Sequence, residues 1–261
     1  MQPLAEWNAR GIRGLLFDLD DTLTTDGKLS AAAYAAMERL KAAGRIVVPI
    51  TGRPAGWCDH IARLWPVDAV VGENGAFYFW HDASARKLRR RYLDPEEARA
   101  RQRARLAAIA ERILREVPGC ALASDQAYRE TDLAIDYCED VPALPLEAAD
   151  RIAALMRKAG LNAKVSSIHV NGWFGGYDKL STTRQLFAER FGIDLQSGGG
   201  AFAFAGDSPN DAPMFAFFEN SVGVANVLRF AGKLASVPRY LSRGESGAGF
   251  VELIEHLLAH G

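Results

Sequence analysis

Short apolar runs alternate with amphipathic segments through the first third of the chain. Gly14-Leu15-Leu16-Phe17, Ile46-Val47-Val48-Pro49-Ile50 and Asp68-Ala69-Val70-Val71 have the length and composition of buried strands. Between them the spacing predicts helices over 30–43 and 54–64. Ser30 suits an N-cap, Gly44 a C-terminal stop and Pro66 a helix end. Repeated strand–helix units imply parallel strands joined by right-handed crossovers. The last third resumes the pattern, with a helix over 178–191 closed by Gly192, a strand over 201–205, a helix near 211–218, a short strand over 221–224 and a closing helix over 250–260.

The middle departs from this rhythm. A hairpin is expected from 76–80 with 87–92, after which Asp94-Pro95-Glu96-Glu97 predicts a helix start with a capping side chain, proline at the first position and acids in the first turn. That helix stops at Pro118-Gly119. Strands over 121–129 and 131–137, a helix over 146–159 and strands over 163–165 and 168–170 complete the segment. The expected fold class is α/β: a doubly wound, mostly parallel core built from 1–83 and 174–261, interrupted by an α+β unit at 84–173.

A chain of 261 residues with 49% hydrophobic content can build one large domain or two modest ones. Its apolar stretches fall far short of the roughly 20 residues a bilayer span needs, and 1–13 lacks the apolar segment of a secretory signal. A soluble, cytoplasmic monomer or small homo-oligomer is therefore expected. Cys58, Cys120 and Cys138 are odd in number and widely spaced, against both a disulfide framework and a zinc site. A net charge of −1 gives no reason to expect nucleic acid as a partner. The charge is uneven, since 86–105 holds nine Lys/Arg against three acids. Such a stretch could steer anionic substrates or could be a solvated face.

Three motifs follow predicted strands: Asp18-Leu19-Asp20-Asp21-Thr22, Thr51-Gly52-Arg53 and Gly206-Asp207-Ser208-Pro209-Asn210-Asp211; a fourth, Asp178-Lys179, opens a helix. Strand ends are where open α/β sheets bind ligands. Asp18 and Asp20, two apart on an extended segment, can face one small volume. One carboxylate could attack phosphorus while the other gives and takes a proton. Asp21, Asp207 and Asp211 would raise the local count to five acids. Two like charges 4 Å apart cost about 4 kcal/mol at an effective dielectric of 20, so a divalent cation is the natural counterweight. All-oxygen donors without His or Cys favour Mg²⁺. Thr51, the Gly52 amide and Lys179 are suited to hold phosphate oxygens.

On these residues the chain resembles the haloacid dehalogenase superfamily of phosphohydrolases. Phe17-Asp18-Leu19-Asp20-Asp21-Thr22-Leu23 looks like its first motif, Ile50-Thr51-Gly52-Arg53 its second, Lys179 its third and Gly206-Asp207-Ser208-Pro209-Asn210-Asp211 its fourth. Gly72-Glu73-Asn74-Gly75-Ala76 and the inserted unit resemble the type IIB branch, which carries a large α/β cap on a Rossmann-like core and includes sugar-phosphate phosphatases. The resemblance implies Asp18 as nucleophile, Asp20 as general acid/base, and Mg²⁺ held by the Asp18 carboxylate, the Asp20 backbone carbonyl and Asp207. It implies Thr51 and Lys179 on the phosphoryl group, with Asn210 and Asp211 behind them. The implied substrate is a small phosphorylated metabolite, sugar-like in the leaving group. Arg53, Asn171 and Trp173 are candidate substrate contacts; Arg53 could equally be a salt-bridge partner, and His169 reads as a packed strand residue. Three rivals remain: a phosphomutase or phosphotransferase on sugar phosphates, a phospho-accepting signalling receiver, and a sugar-phosphate binding module, which would have no use for Asp20.

Overall fold

The computed structural model describes residues 1–261. Its main sheet has six parallel strands in the spatial order Gln2–Pro3, Tyr240–Leu241, Asn220–Gly223, Phe202–Gly206, Gly14–Phe17 and Ile46–Pro49. Gly14–Phe17 lies between its neighbours in register Phe17↔Ala205 and Phe17↔Pro49, so the chain leaves three adjacent strands at one level. Both faces of these strands are buried, as their unbroken apolar runs require. One face packs on the helices Ala31–Ala42 and Ser246–His260; Phe187, Phe202, Phe204 and Phe218 fill the other. The first helix starts as expected, with the Ser30 hydroxyl accepting from the Ala33 amide at 3.1 Å.

A parallel bridge from Ile50 to Val71 extends this sheet into a second one, Val70–Gly72, Phe77–Asp82 and Lys87–Tyr92. The expected border at 84 falls in the turn of this hairpin, whose strands pair along their full length. From the helix Glu96–Glu116 onward the chain builds a separate hydrophobic cluster. An antiparallel sheet, in the order Ala121–Leu122, Asp132–Asp136, His169–Trp173 and Asn162–Val165, carries that helix and Leu146–Lys158. Strand alternation sorts the two faces: Leu133, Ile135 and Val170 pack under the helices, while Asp132, Asp136, His169 and Asn171 carry the polar positions between them.

Several boundaries differ from the sequence reading. The strand expected over 121–129 ends at Leu122, and a turn at Gln126–Tyr128 follows, because Asp125 and Arg129 bond to each other across it at 2.9 Å. The helix at 96 has no side-chain cap; Asp94 accepts from Gln102 instead. The closing helix begins at Ser246 rather than 250. The first residues, for which the sequence offered no element, pair as Gln2↔Tyr240 at the sheet edge. No helix is long and apolar enough to cross a membrane.

Candidate active site

The three strand ends converge as the register demands. The Asp18 amide bonds the Ala205 carbonyl at 3.0 Å, and the Ile50 amide bonds the Phe17 carbonyl at 2.8 Å, placing Asp18 between the loops that carry Asp207 and Thr51. Carboxylate oxygens of Asp18, Asp207 and Asp211 all lie within 4.8 Å of one another, and all three residues are buried. Such a trio, oxygen-only and enclosed, can hold a metal ion.

Lys179 is the cation among them. Asp178 caps its helix, the carboxylate accepting from Ser181 at 2.7 Å, so Lys179 takes the first helical position. Gly75 lets that turn approach; a Cβ there would lie 2.2 Å from the Asp178 carbonyl oxygen. The Lys179 ammonium reaches Asp18 at 3.2 Å and Asp211 at 2.9 Å. Burial works against its charge, but the two carboxylates outweigh it and hold its pKa above the ordinary value. Asp211 is fully engaged: its other oxygen accepts from the amides of Asp207 and Ser208 at 3.1 and 3.3 Å. Gly206 makes room for this fold-back, since a Cβ would meet that carboxylate at 2.5 Å.

One lysine does not balance the cluster. Burial pushes the Asp18 carboxyl up to about 8, with Lys179 opposing and Asp211 and Asp20 adding to the rise. Burial, Asp211, Asp18 and Asp21 push Asp207 well above the carboxylate range. Two residues absent from the sequence-derived set orient Asp207: the Thr22 hydroxyl donates to it at 3.1 Å, and Asn226 donates at 3.3 Å while also bonding the Asp21 carbonyl. Thr51 is buried and receives the Arg53 amide at 2.9 Å; Asn210 accepts from Ser208 at 2.8 Å. Asn74, in a left-handed conformation beside Gly52, keeps a buried amide nitrogen without a partner.

Above this floor lies a seam between core and inserted unit. The Arg53 Nε–H bonds both Asp20 oxygens at 2.9 and 3.0 Å, while its Nη groups reach Asp125 at 3.2 Å and Glu139 at 2.5 Å. Arg129 bonds Asp125 and Asp132 and donates to the Gly52 carbonyl at 2.8 Å. The Glu73 carboxylate accepts from Ala55 and Glu130 at 2.9 Å each and from the Thr131 amide at 2.7 Å, and it also takes the Thr131 hydroxyl. His169 is buried as expected, with Nε2 2.8 Å from Glu139. Arg53 thus forms the salt bridges that one of its two expected roles requires. Asn171 sits over Gly52 and donates to Asp132 at 3.0 Å. Trp173 corrects the expectation of a sugar-stacking face. It is 1% exposed in the core, its indole N–H bonding the Tyr177 carbonyl and its ring stacked on Tyr177. Of the Arg-rich stretch, Arg89, Arg90, Arg91 and Arg99 are paired with Asp82, Asp59, Glu189 and Glu130.

Two cavities reach Asp20. One, of 580 Å³, lies under the inserted unit and is lined by Asp20, Asp21, Arg53, Glu139, Asp140 and Ser167 among others. The other, of 470 Å³, is apolar, with Leu19, Trp57, Ile61, Trp65 and Tyr128 in its wall.

The model of the haloacid dehalogenase-like hydrolase family matches residues 15–104. A phosphoglycolate phosphatase from Pyrobaculum neutrophilum is 30% identical over 255 residues, covering 96% of this chain and 98% of its own length. The chain belongs to the haloacid dehalogenase-like hydrolases. A phosphoglycolate phosphatase from Methanothrix thermoacetophila is 26% identical over 253 residues, covering 96% and 99% of the two chains. The solved haloacid dehalogenase subclass IIB sugar phosphatase BT4131 superposes with a TM-score of 0.61 at 14% identity, covering 94% of this chain and 98% of its own, a likeness of fold. As a member of this family the protein is a phosphoric monoester hydrolase. That sets the signalling-receiver reading aside.

Proposed function

We propose that the enzyme is a Mg²⁺-dependent phosphatase that hydrolyses a small phosphomonoester through a phosphoryl group carried on Asp18. The observation that carries this reading is the buried meeting of Asp18, Asp207, Asp211 and Lys179, with Asp20 two residues from the nucleophile. An Asp18 oxygen attacks phosphorus, the bond from phosphorus to the leaving oxygen breaks, and its electron pair stays on that oxygen. Asp20 protonates the oxygen, giving the free alcohol. Asp20 then takes a proton from water, whose oxygen attacks phosphorus; inorganic phosphate leaves and the Asp18 carboxylate is restored. Thr51, the Gly52 amide and Lys179 hold the phosphoryl oxygens, where developing charge needs fixed donors.

The donor set fits a hard divalent cation. Its ligand atoms are carboxylate oxygens, buried, and in excess of the one lysine beside them. Asp18, Asp207 and the Asp20 carbonyl would hold the ion, and Asp211, both of whose oxygens are engaged, would stand behind them. When bound, Mg²⁺ supplies neutralisation of phosphoryl charge.

The leaving alcohol is a sugar or related metabolite in this reading. A second reading, phosphoglycolate, is favoured by the names of the two curated relatives. Phosphate release from a panel of sugar phosphates and phosphoglycolate, with and without Mg²⁺, tests both. Release that requires Mg²⁺ and Asp18 supports the mechanism; conversion to an isomeric sugar phosphate without release would make the enzyme a mutase.

A further inference from the structure

We propose that Glu139 is a charge filter, selecting phosphomonoesters whose leaving alcohol carries no negative charge over those that carry a carboxylate. The inference rests on the reading that the leaving group departs beside Asp20, and it narrows the substrate class of that same site.

A carboxylate in the leaving group needs a free cation, and the cavities at Asp20 offer little of one. Every guanidinium N–H of Arg53 faces a carboxylate. The Nε–H goes to Asp20, Nη1 to Asp125 and Glu139 at 3.2 and 3.3 Å, and Nη2 to Glu139 and Asp20 at 2.5 and 2.9 Å. Arg129 is spent on Asp125, Asp132 and the Gly52 carbonyl. Two arginines, with His169 at 2.8 Å from Glu139, therefore face four carboxylates, Asp20, Asp125, Asp132 and Glu139, so the acids of the seam outnumber the cations beside them. Asp21, Asp26 and Asp140 extend the same sign along the 580 Å³ cavity. Of the other cations in its lining, Arg229 pairs with Glu245 at 2.6 Å on the surface, and Lys28 is an exposed side chain outside the Arg53 network. The 470 Å³ cavity has no Lys or Arg besides Arg53.

Glu139 is the half-buried member of this set that the inserted unit contributes to the cavity wall. Burial would raise its pKa, but His169 and Arg53 overcome that and hold it down at about 2, so it is charged at neutral pH. Carboxylate oxygens accept hydrogen bonds from hydroxyls at no electrostatic cost. A second carboxylate brought beside them meets like charge in a partly dehydrated space, the arrangement by which sites reject a competitor.

The test compares kcat/KM for hydroxyethyl phosphate and phosphoglycolate with Mg²⁺ present; the two differ only in a CH₂OH against a carboxylate. The wild-type enzyme should prefer the neutral ester by about 100-fold, the scale of like charges a few ångströms apart. Glu139→Gln should shrink that preference by about tenfold or more. Raising ionic strength should shrink it in the wild-type enzyme, a readout independent of any variant's folding. A wild-type preference for phosphoglycolate, or a preference that neither Glu139→Gln nor salt moves, overturns the filter while leaving Asp18-dependent hydrolysis intact. Loss of the Asp18 requirement on both esters would instead overturn the hydrolytic reading, and the filter with it.

Discussion

The floor of the site and the seam above it are made of the same materials, buried carboxylates with a few cations, yet they are organised for opposite ends. On the floor, Asp18, Asp207 and Asp211 share one lysine, and burial, with neighbouring acids adding to it, pushes the Asp18 and Asp207 carboxyls above their usual range. In the seam, each arginine nitrogen has an acceptor, and the bonds run between core and inserted unit: Arg53 to Asp125 and Glu139, Arg129 to the Gly52 carbonyl, Glu73 to Thr131. Three buried carboxylates around one ammonium leave room for an exchangeable cation. A cluster that satisfies its own donors is a clamp. The contrast explains why charge density alone does not mark the chemical centre.

The sharpest way to break the comparison is to remove the floor's nucleophile. Asp18→Asn should lower kcat by about 10⁴-fold or more, measured as phosphate release under saturating substrate. A loss of only a few-fold would mean that the floor is not where the phosphoryl group is attacked.

Loss of the clamp's most buried cation should show in stability rather than in chemistry. The Arg129 side chain is fully buried, and Arg129→Met would strand Asp132 without its cation and leave Asp125 with Arg53 alone. A cost of about 3–5 kcal/mol in denaturant unfolding is expected, the usual consequence of breaking a buried pair from one side. An undiminished unfolding midpoint would demote the seam to an incidental contact.

Acid titration separates the seam further. Glu139 has its folded pKa at about 2, below the ordinary 4.5, so its contribution is present above about pH 4.5 and is lost as pH falls towards 2. The stability difference between the wild-type protein and Glu139→Gln should be flat at neutral pH and should close across that window, as read by thermal unfolding at each pH. A gap that widens on acidification would contradict the assignment of the shift.

The smallest effect belongs to the surface arginines. Arg90, half exposed and paired with Asp59, should cost under about 0.5 kcal/mol as Arg90→Ala, which calorimetry can bound.

How legible each region was in the sequence follows from its geometry. The floor was readable because its acids sit directly after apolar runs, which a parallel register brings together, and Lys179 opens a capped helix beside them. Asp18, Asp207, Asp211 and Lys179 were all named from motif and position, and the structure gathers these four. The seam was readable only in part: Arg53 was named as a possible salt-bridge partner, but its acids were not. Asp125 and Arg129 lie in a stretch whose composition suits a strand, and only their mutual bond across a turn reveals why the strand stops at Leu122. Glu139 follows a strand with no motif to single it out. Trp173 shows the opposite error: an aromatic near the pocket in sequence was offered to a sugar, whereas strand direction turns it into the core against Tyr177. Sequence placed the groups that its motifs carry, and missed the acids that meet Arg53 and Arg129 only across two folded units.

The central claim is that Asp18 carries the phosphoryl group. Quenching the enzyme in acid during turnover of a phosphate ester with Mg²⁺, followed by peptide mass spectrometry, tests it most directly. A phosphoryl group on the peptide containing Asp18, absent from Asp18→Asn, is the predicted result. Phosphorylation of a different residue, or rapid phosphate release by Asp18→Asn, would contradict it.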